Sequence, residues 1–177
     1  FEEKVKWSLK PAEGGKIEEV VDEEKMAENY ASARDHLEKM RVLVEEDIEL
    51  GRIKRYSWAE FKAKFGNRIA VAAQGAVPKD PDWNEIRPIH DGTHKVTVNN
   101  RIRVRDRQRF PLVDDAEGVL VTIESKHNNA KRIAIVFDFK GAHRLIPIEE
   151  RDWRLLAFML DDDPEGVYVN TVGTFGI

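Results

Sequence analysis

Cysteine is absent from the 177 residues. That excludes disulfides and thiolate metal sites, and it fits a reducing compartment, so the protein is expected inside the cell, in cytoplasm or nucleus. No apolar run approaches the length of a membrane span. The first residues, FEEKVKW, are charged and lack the apolar stretch of a secretory signal. Internal repeats and low-complexity tracts are missing as well. Aromatics are modest at 8%, whereas charged residues reach 35%, which is a globular composition without a membrane role. The chain starts at Phe1 and stops at TFGI, and both ends read as cut from something longer.

Charge is present but unevenly spread. The net charge is −4. Residues 1–50 carry −7, residues 51–110 carry +8, and residues 111–177 carry −5. A basic middle in an acidic chain points to a local phosphate-binding face rather than to a general coat for nucleic acid.

Residues 1–17 hold Pro11 and Gly14-Gly15 without any period and read as an extended lead-in. From about Glu18 to Leu50 the spacing predicts one long helix, with Met26, Tyr30, Ala33, Leu37, Met40, Val44 and Ile48 on its apolar face and Gly51 as its stop. Ser57 and Glu60 predict a capping box for a second helix that Gly66-Asn67 ends. Residues 57–132 then form one region. Within it, Arg68–Val77 and Glu85–Asp91 predict an antiparallel hairpin, with Pro88 at an edge or a bulge. Pro111–Glu124 predicts a helix with Val113, Ala116, Val119, Leu120 and Ile123 inward. Residues 133–177 open on Ile133–Phe137, a β-branched run expected as a buried strand, and close on a hairpin over Trp153–Leu160 and Gly166–Val172.

Asp138 ends the Ile133 run. It can be the first oxygen ligand of a Mg²⁺ site or the N-cap of the short helix Ala142–Ile146, which follows the turn at Gly141 and stops at Pro147. Arg101, Arg103, Arg105, Arg107 and Arg109 occupy alternate positions and would share one face if extended, meeting successive phosphates. Otherwise they are a solvated loop paired to acids. Lys79 and Arg87 flank the predicted hairpin turn, where a fork and a point charge can clamp a triphosphate. Asp161-Asp162-Asp163 reads as a solvated turn, and His36, His90, His94 and His127 show no zinc-like set.

Four blocks in order resemble the first half of a retroelement reverse transcriptase domain: EDIELGRIKRYS; GAVPK with IRPIHDGTHKVTVNNRI; VFDFKGAHRLIPI with RDWRLLAF; and VGTFGI. They span about Glu46 to Ile177. The resemblance implies an α+β fold with a fingers hairpin, a partial polymerase palm sheet with packed helices, and a long N-terminal helix. It implies a parent RNA-directed DNA polymerase that uses Mg²⁺, a template–primer of RNA or DNA, and deoxynucleoside triphosphates. Asp138 would be a catalytic metal ligand and Phe139 would lend its carbonyl. Lys79 and Arg87 would meet the triphosphate, and Gly141 and Ala142 would let the backbone approach it. His143 falls where the family has Tyr or Phe, and Phe175 and Gly176 would border the nucleotide. The family's Y-x-D-D carboxylates do not occur in these residues, so this chain is expected to be inactive alone. The alternative is a non-catalytic nucleic-acid- or protein-binding module of the same descent.

Overall fold

The structure is a computed structural model that describes residues 8–9, 24–103, 112–127, 135 and 137–176. They fall into two units, one holding residues 112–127, 135 and 137–140, the other holding 8–9, 24–103 and 141–176. Together the elements make an α+β fold.

In the larger unit, five strands run in the order β2 (Lys25–Met26), β4 (Ala70–Val71), β8 (Ala157–Phe158), β9 (Gly166–Asn170) and β3 (Ile53–Ser57). β2, β4 and β8 are mutually parallel, and β9 is antiparallel to both of its neighbours. The period of two along β9 fills both faces of the sheet. Val167 and Val169 pack with Phe61, Ile69 and Val71 on one side. Tyr168 packs with Met40, Val44 and Phe158 on the other. Helix α3 (Trp58–Phe65) covers the first side, and α2 (Leu37–Glu49) covers the second. Phe61 and Met40 are fully buried, and each such side chain contributes roughly 2–3 kcal/mol of transfer free energy.

Local signals formed as expected where they were complete. The hydroxyl of Ser57 accepts from the Glu60 N–H while the Glu60 carboxylate accepts from the Ser57 N–H, and Gly66 ends α3 at φ 70°. Gly51 follows α2 at φ 71° and donates to the Ile48 carbonyl. β5 (Ala73–Pro78) and β6 (Ile86–Asp91) form an antiparallel hairpin separate from the five-stranded sheet. Pro88 lies opposite Ala76 in that two-stranded ladder. A further small pair joins β1 (Ser8–Leu9) to β7 (Ile102–Arg103).

Four expectations change. The long helix does not reach back to residue 24: residues 24–30 are extended, and helix begins with α1 (Ala31–Asp35). The cause is pairing, because the N–H groups of Lys25, Ala27 and Tyr30 donate to the carbonyls of Ile69, Val71 and Gln74. His36 then interrupts the helix with φ −121°, and its ring stacks on Trp83 at 4.4 Å. The stripe survives in part, with Ala33, Met40 and Val44 buried and Met26 outside it on β2. Residues 18–23 lie outside the described residues.

Secondly, two expected strands are shorter: Arg68–Val77 splits, Ala70–Val71 joining the five-stranded sheet and Ala73–Pro78 entering the hairpin, and Trp153–Leu155 lies in a 3₁₀ helix ahead of β8. Asp161–Asp163 is a turn with Asp161 and Asp162 exposed, as expected, and its acids also have partners. Asp161 accepts from Asn29 Nδ2 at 2.8 Å, Asp162 pairs with Arg41, and Asp163 holds both Arg55 nitrogens at 2.8 and 2.9 Å and the Tyr168 hydroxyl at 2.7 Å. Consecutive acids do point in different directions, and each finds a different element there.

Thirdly, in the smaller unit, α5 (Val113–Lys126) forms at the expected place but buries nothing. Val113, Val119, Leu120 and Ile123, expected inward, are exposed. Local bonds carry the helix: Asp115 accepts from the Leu112 N–H, and the Thr122 hydroxyl donates to Gly118. Fourthly, Ile135 and Phe137 belong to no strand and are 71% and 81% exposed, so the expected buried strand is not formed at these positions. The run's polar continuation, FDFKG, offers no second apolar face to bury. Ile133, Ala134 and Val136 lie outside the described residues.

Candidate functional site

The β5–β6 hairpin supplies the first side chain. Its register puts Val77 opposite Arg87 and Pro78 opposite Ile86. Side chains alternate across a strand, so Ile86 turns into the core while Arg87 turns out to solvent. Among the described residues no carboxylate pairs with Arg87. Its guanidinium lies 5.1 Å from the centre of the Phe175 ring.

Phe175 comes from the segment after β9. The His90 N–H donates to the Phe175 carbonyl at 3.0 Å, so this segment lies along the outer edge of β6. Asn99 Nδ2 donates to the Gly176 carbonyl at 2.7 Å. A Cβ on Gly176 would collide with the His90 carbonyl oxygen, and φ is 117°, which together require glycine there. The Phe175 ring stays 46% exposed.

His143 closes the other side. It sits in the 3₁₀ turn Ala142–Leu145, which begins at Gly141 with φ 65°. No side chain caps this turn, so Asp138 is not its N-cap. The imidazole meets Phe175 edge-to-face, with ring centres 5.8 Å apart. Burial, then the Arg144 and Arg87 charges, hold its pKa below the ordinary histidine value. It is therefore neutral at pH 7 and presents one donor and one acceptor.

A buried layer supports these groups. His90 is 3% exposed, and its Nδ1 lies 3.0 Å from Gln74 Nε2. Burial pushes the His90 pKa down to about 4. Its Nε2 has no hydrogen-bond partner among the described residues, nor has the hydroxyl of Thr174 next to Phe175.

Arg87, His143, Phe175 and Gly176, predicted from three separate blocks of sequence, are thus brought together, with Gly141 and Ala142 in the turn beside His143. Lys79 is not joined to them by a contact. It shares the hairpin's outer face with Arg87 by register, and it pairs with Glu85 at 3.3 Å. Asp138 and Phe139 belong to the smaller unit, and both are exposed. Arg101 ends a short helix, α4 (Val98–Arg101), and Arg103 lies in β7, so the backbone alternation expected across the arginines does not extend to Arg101. Arg105, Arg107 and Arg109 lie outside the described residues. Among the described residues no group of three or more His, Asp or Glu side chains is placed to hold a metal ion.

Sequence reasoning missed Gln74 and Arg144, and read His90 only as a histidine without a zinc-like set. A signal for Arg144 was available, since it is the one charge inside the otherwise apolar turn AHRLIP. What the four assembled groups can do is bind: a guanidinium with no carboxylate partner among the described residues suits phosphate, and an exposed ring between two flat polar groups suits a planar ligand. No protein-family model matches the chain, and no curated protein is significantly similar to it.

Proposed function

We propose that this chain is the nucleotide-binding fingers and partial palm of a reverse transcriptase-like domain, whose parent is an RNA-directed DNA polymerase. The observation that supports the reading is the meeting of Arg87, His143, Phe175 and Gly176 from distant parts of the sequence around one exposed ring. In this reading Arg87 takes the triphosphate, with Lys79 on the same hairpin face as a second cation. Gly141 and Ala142 leave the backbone bare beside it. A template–primer of RNA or DNA is the second partner, met by Arg101 to Arg109. The parent works inside the cell, in cytoplasm or nucleus. Among the described residues no helix is long and apolar enough to cross a membrane.

Mg²⁺ belongs to this reading through Asp138 and the carbonyl of Phe139. One carboxylate and one carbonyl fall short of the six oxygens that Mg²⁺ takes. The described residues therefore do not make a complete site, and the chain's own part is to bind and orient the nucleotide.

The test is titration of the 177-residue chain with a deoxynucleoside triphosphate, followed by NMR. Resonances of His143 and Phe175 are expected to move, and Arg87→Ala should weaken binding about tenfold, the ~1.4 kcal/mol of one charge-assisted contact. Shifts absent from both residues, or equal affinity in the variant, would sink the reading. A chain that binds labelled nucleic acid but no nucleotide would favour the non-catalytic module.

A further inference from the structure

Arg144 follows His143 in the 3₁₀ turn, and its side chain is only 14% exposed. One guanidinium nitrogen donates to Asn170 Oδ1 at 2.9 Å and to the Gly173 carbonyl at 3.1 Å. Another donates to the Asp47 carboxylate at the C-terminal end of α2. Asp47 also takes Arg52 at 3.4 Å, and the Arg52 carbonyl accepts both the N–H and the hydroxyl of Thr171. One guanidinium therefore ties the end of α2, the end of β9 and the turn that carries His143.

The tie bears on the distance between His143 and Phe175. Gly173, whose carbonyl Arg144 holds, lies two residues before Phe175. Its N–H donates to the Ile146 carbonyl at 2.9 Å, and a Cβ added there would stand 2.5 Å from the His143 carbonyl oxygen. The two backbones are thus in direct contact, and Arg144 bonds to one of them while belonging to the other. A side chain with three protein acceptors and little exposure is built to hold protein rather than to greet a ligand.

We infer that Arg144, fixed by Asp47, is a positioning residue that sets the His143–Phe175 contact and with it the placing of the exposed Phe175 ring. That a nucleotide uses this ring rests on the function proposed above, whereas the contact itself does not.

The rival role for Arg144 is a direct phosphate ligand, and the two roles differ in sign. Asp47→Asn weakens the hold on Arg144. If Arg144 positions, nucleotide affinity falls; if it is a phosphate ligand, the released cation binds more tightly.

The experiment uses NMR on the 177-residue chain. The Phe175 ring current displaces the His143 ring protons, and Phe175→Leu gives their undisplaced position. Arg144→Gln and Asp47→Asn are expected to move these protons most of the way to that position, and Arg144→Lys to restore part of the displacement. Deoxynucleoside triphosphate affinity should fall about three- to tenfold in Asp47→Asn, the size expected for a misplaced ring. An unchanged displacement in both variants overturns the inference, as does tighter nucleotide binding by Asp47→Asn. If the wild type binds no nucleotide, the functional reading falls while the ring-current comparison still decides the positioning. Should Arg144→Gln not fold, Asp47→Asn and Arg144→Lys, which keep hydrogen-bonding atoms in place, carry the same measurement.

Discussion

Asp163 shows how much one side chain can gather. Its carboxylate accepts two parallel bonds from Arg55 and one from the Tyr168 hydroxyl. The Arg55 bond holds its pKa below the ordinary aspartate value, with the Tyr168 bond adding to this against the effect of burial. A lowered folded pKa means stability that is present above the unfolded value and lost as pH falls through the folded one. Asp163→Asn should therefore destabilise at neutral pH by about 1 kcal/mol, the scale of a partly exposed pair, and the difference from wild type should shrink in acid. Urea midpoints at two pH values check this, and a pH-independent difference would argue against the ion pair. Nothing near Asp163 in sequence announces the role, because Arg55 lies 108 residues away. The same limit hid Asp47 behind Arg144, 97 residues on. Arg87 was readable from the hairpin turn it flanks, whereas His143, Phe175 and Gly176 were reached by resemblance alone, since no local pattern links distant blocks.

Among elements, α3 was the most legible, because its start and stop are written within eleven residues. Ser57→Ala removes the acceptor for the Glu60 N–H and should cost ~1 kcal/mol, read as a lower thermal midpoint, whereas Ser57→Asp should cost little. Equal losses for both would mean that the hydroxyl acts through some other contact. The start of α1 was illegible for the opposite reason. Residues 24–30 carry helix-compatible side chains, yet pairing with β4, some 45 residues later, keeps them extended. The hairpin of β5 and β6 was readable from its turn, and its outer face then followed from register. For α5 the spacing correctly marked a helix but misjudged its surroundings, since periodicity shows a face without showing what covers it.

For the molecule as a whole, His90 is the described group that ties stability most strongly to mild acid, with His143 acting in the same direction. The His90 ring is buried, and Gln74 Nε2, which also donates to the Ala73 carbonyl, faces Nδ1 as a donor. The Phe158 ring packs beside it, and Asp91 and Arg144 are the charges that act on it, in opposite directions. Protonation would set an N–H against that amide and charge a dry site. The folded pKa is about 4, against an ordinary 6.5. The unfolded chain then binds the extra proton between these values, so stability falls as pH drops from about 6.5 towards 4, by about 3 kcal/mol in full. A His90→Leu variant should lose most of that slope, His143 keeping a share, while the loss in stronger acid that the carboxylates cause remains. Parallel unfolding curves for the two proteins across the window would remove His90 from the account.

The position of β9 has a consequence in time. It lies between β8 and β3 and is buried along all five residues, yet in sequence it follows β3 by more than a hundred residues. Until Gly166–Asn170 leave the ribosome, β3 has no strand to receive it, and the apolar faces of α2 and α3 have no shared sheet to cover. In that interval the edge of β3 that β9 will cover is open to neighbouring chains. The delay between β3 and β9, as much as the sequence of either strand, therefore bears on how safely this unit assembles.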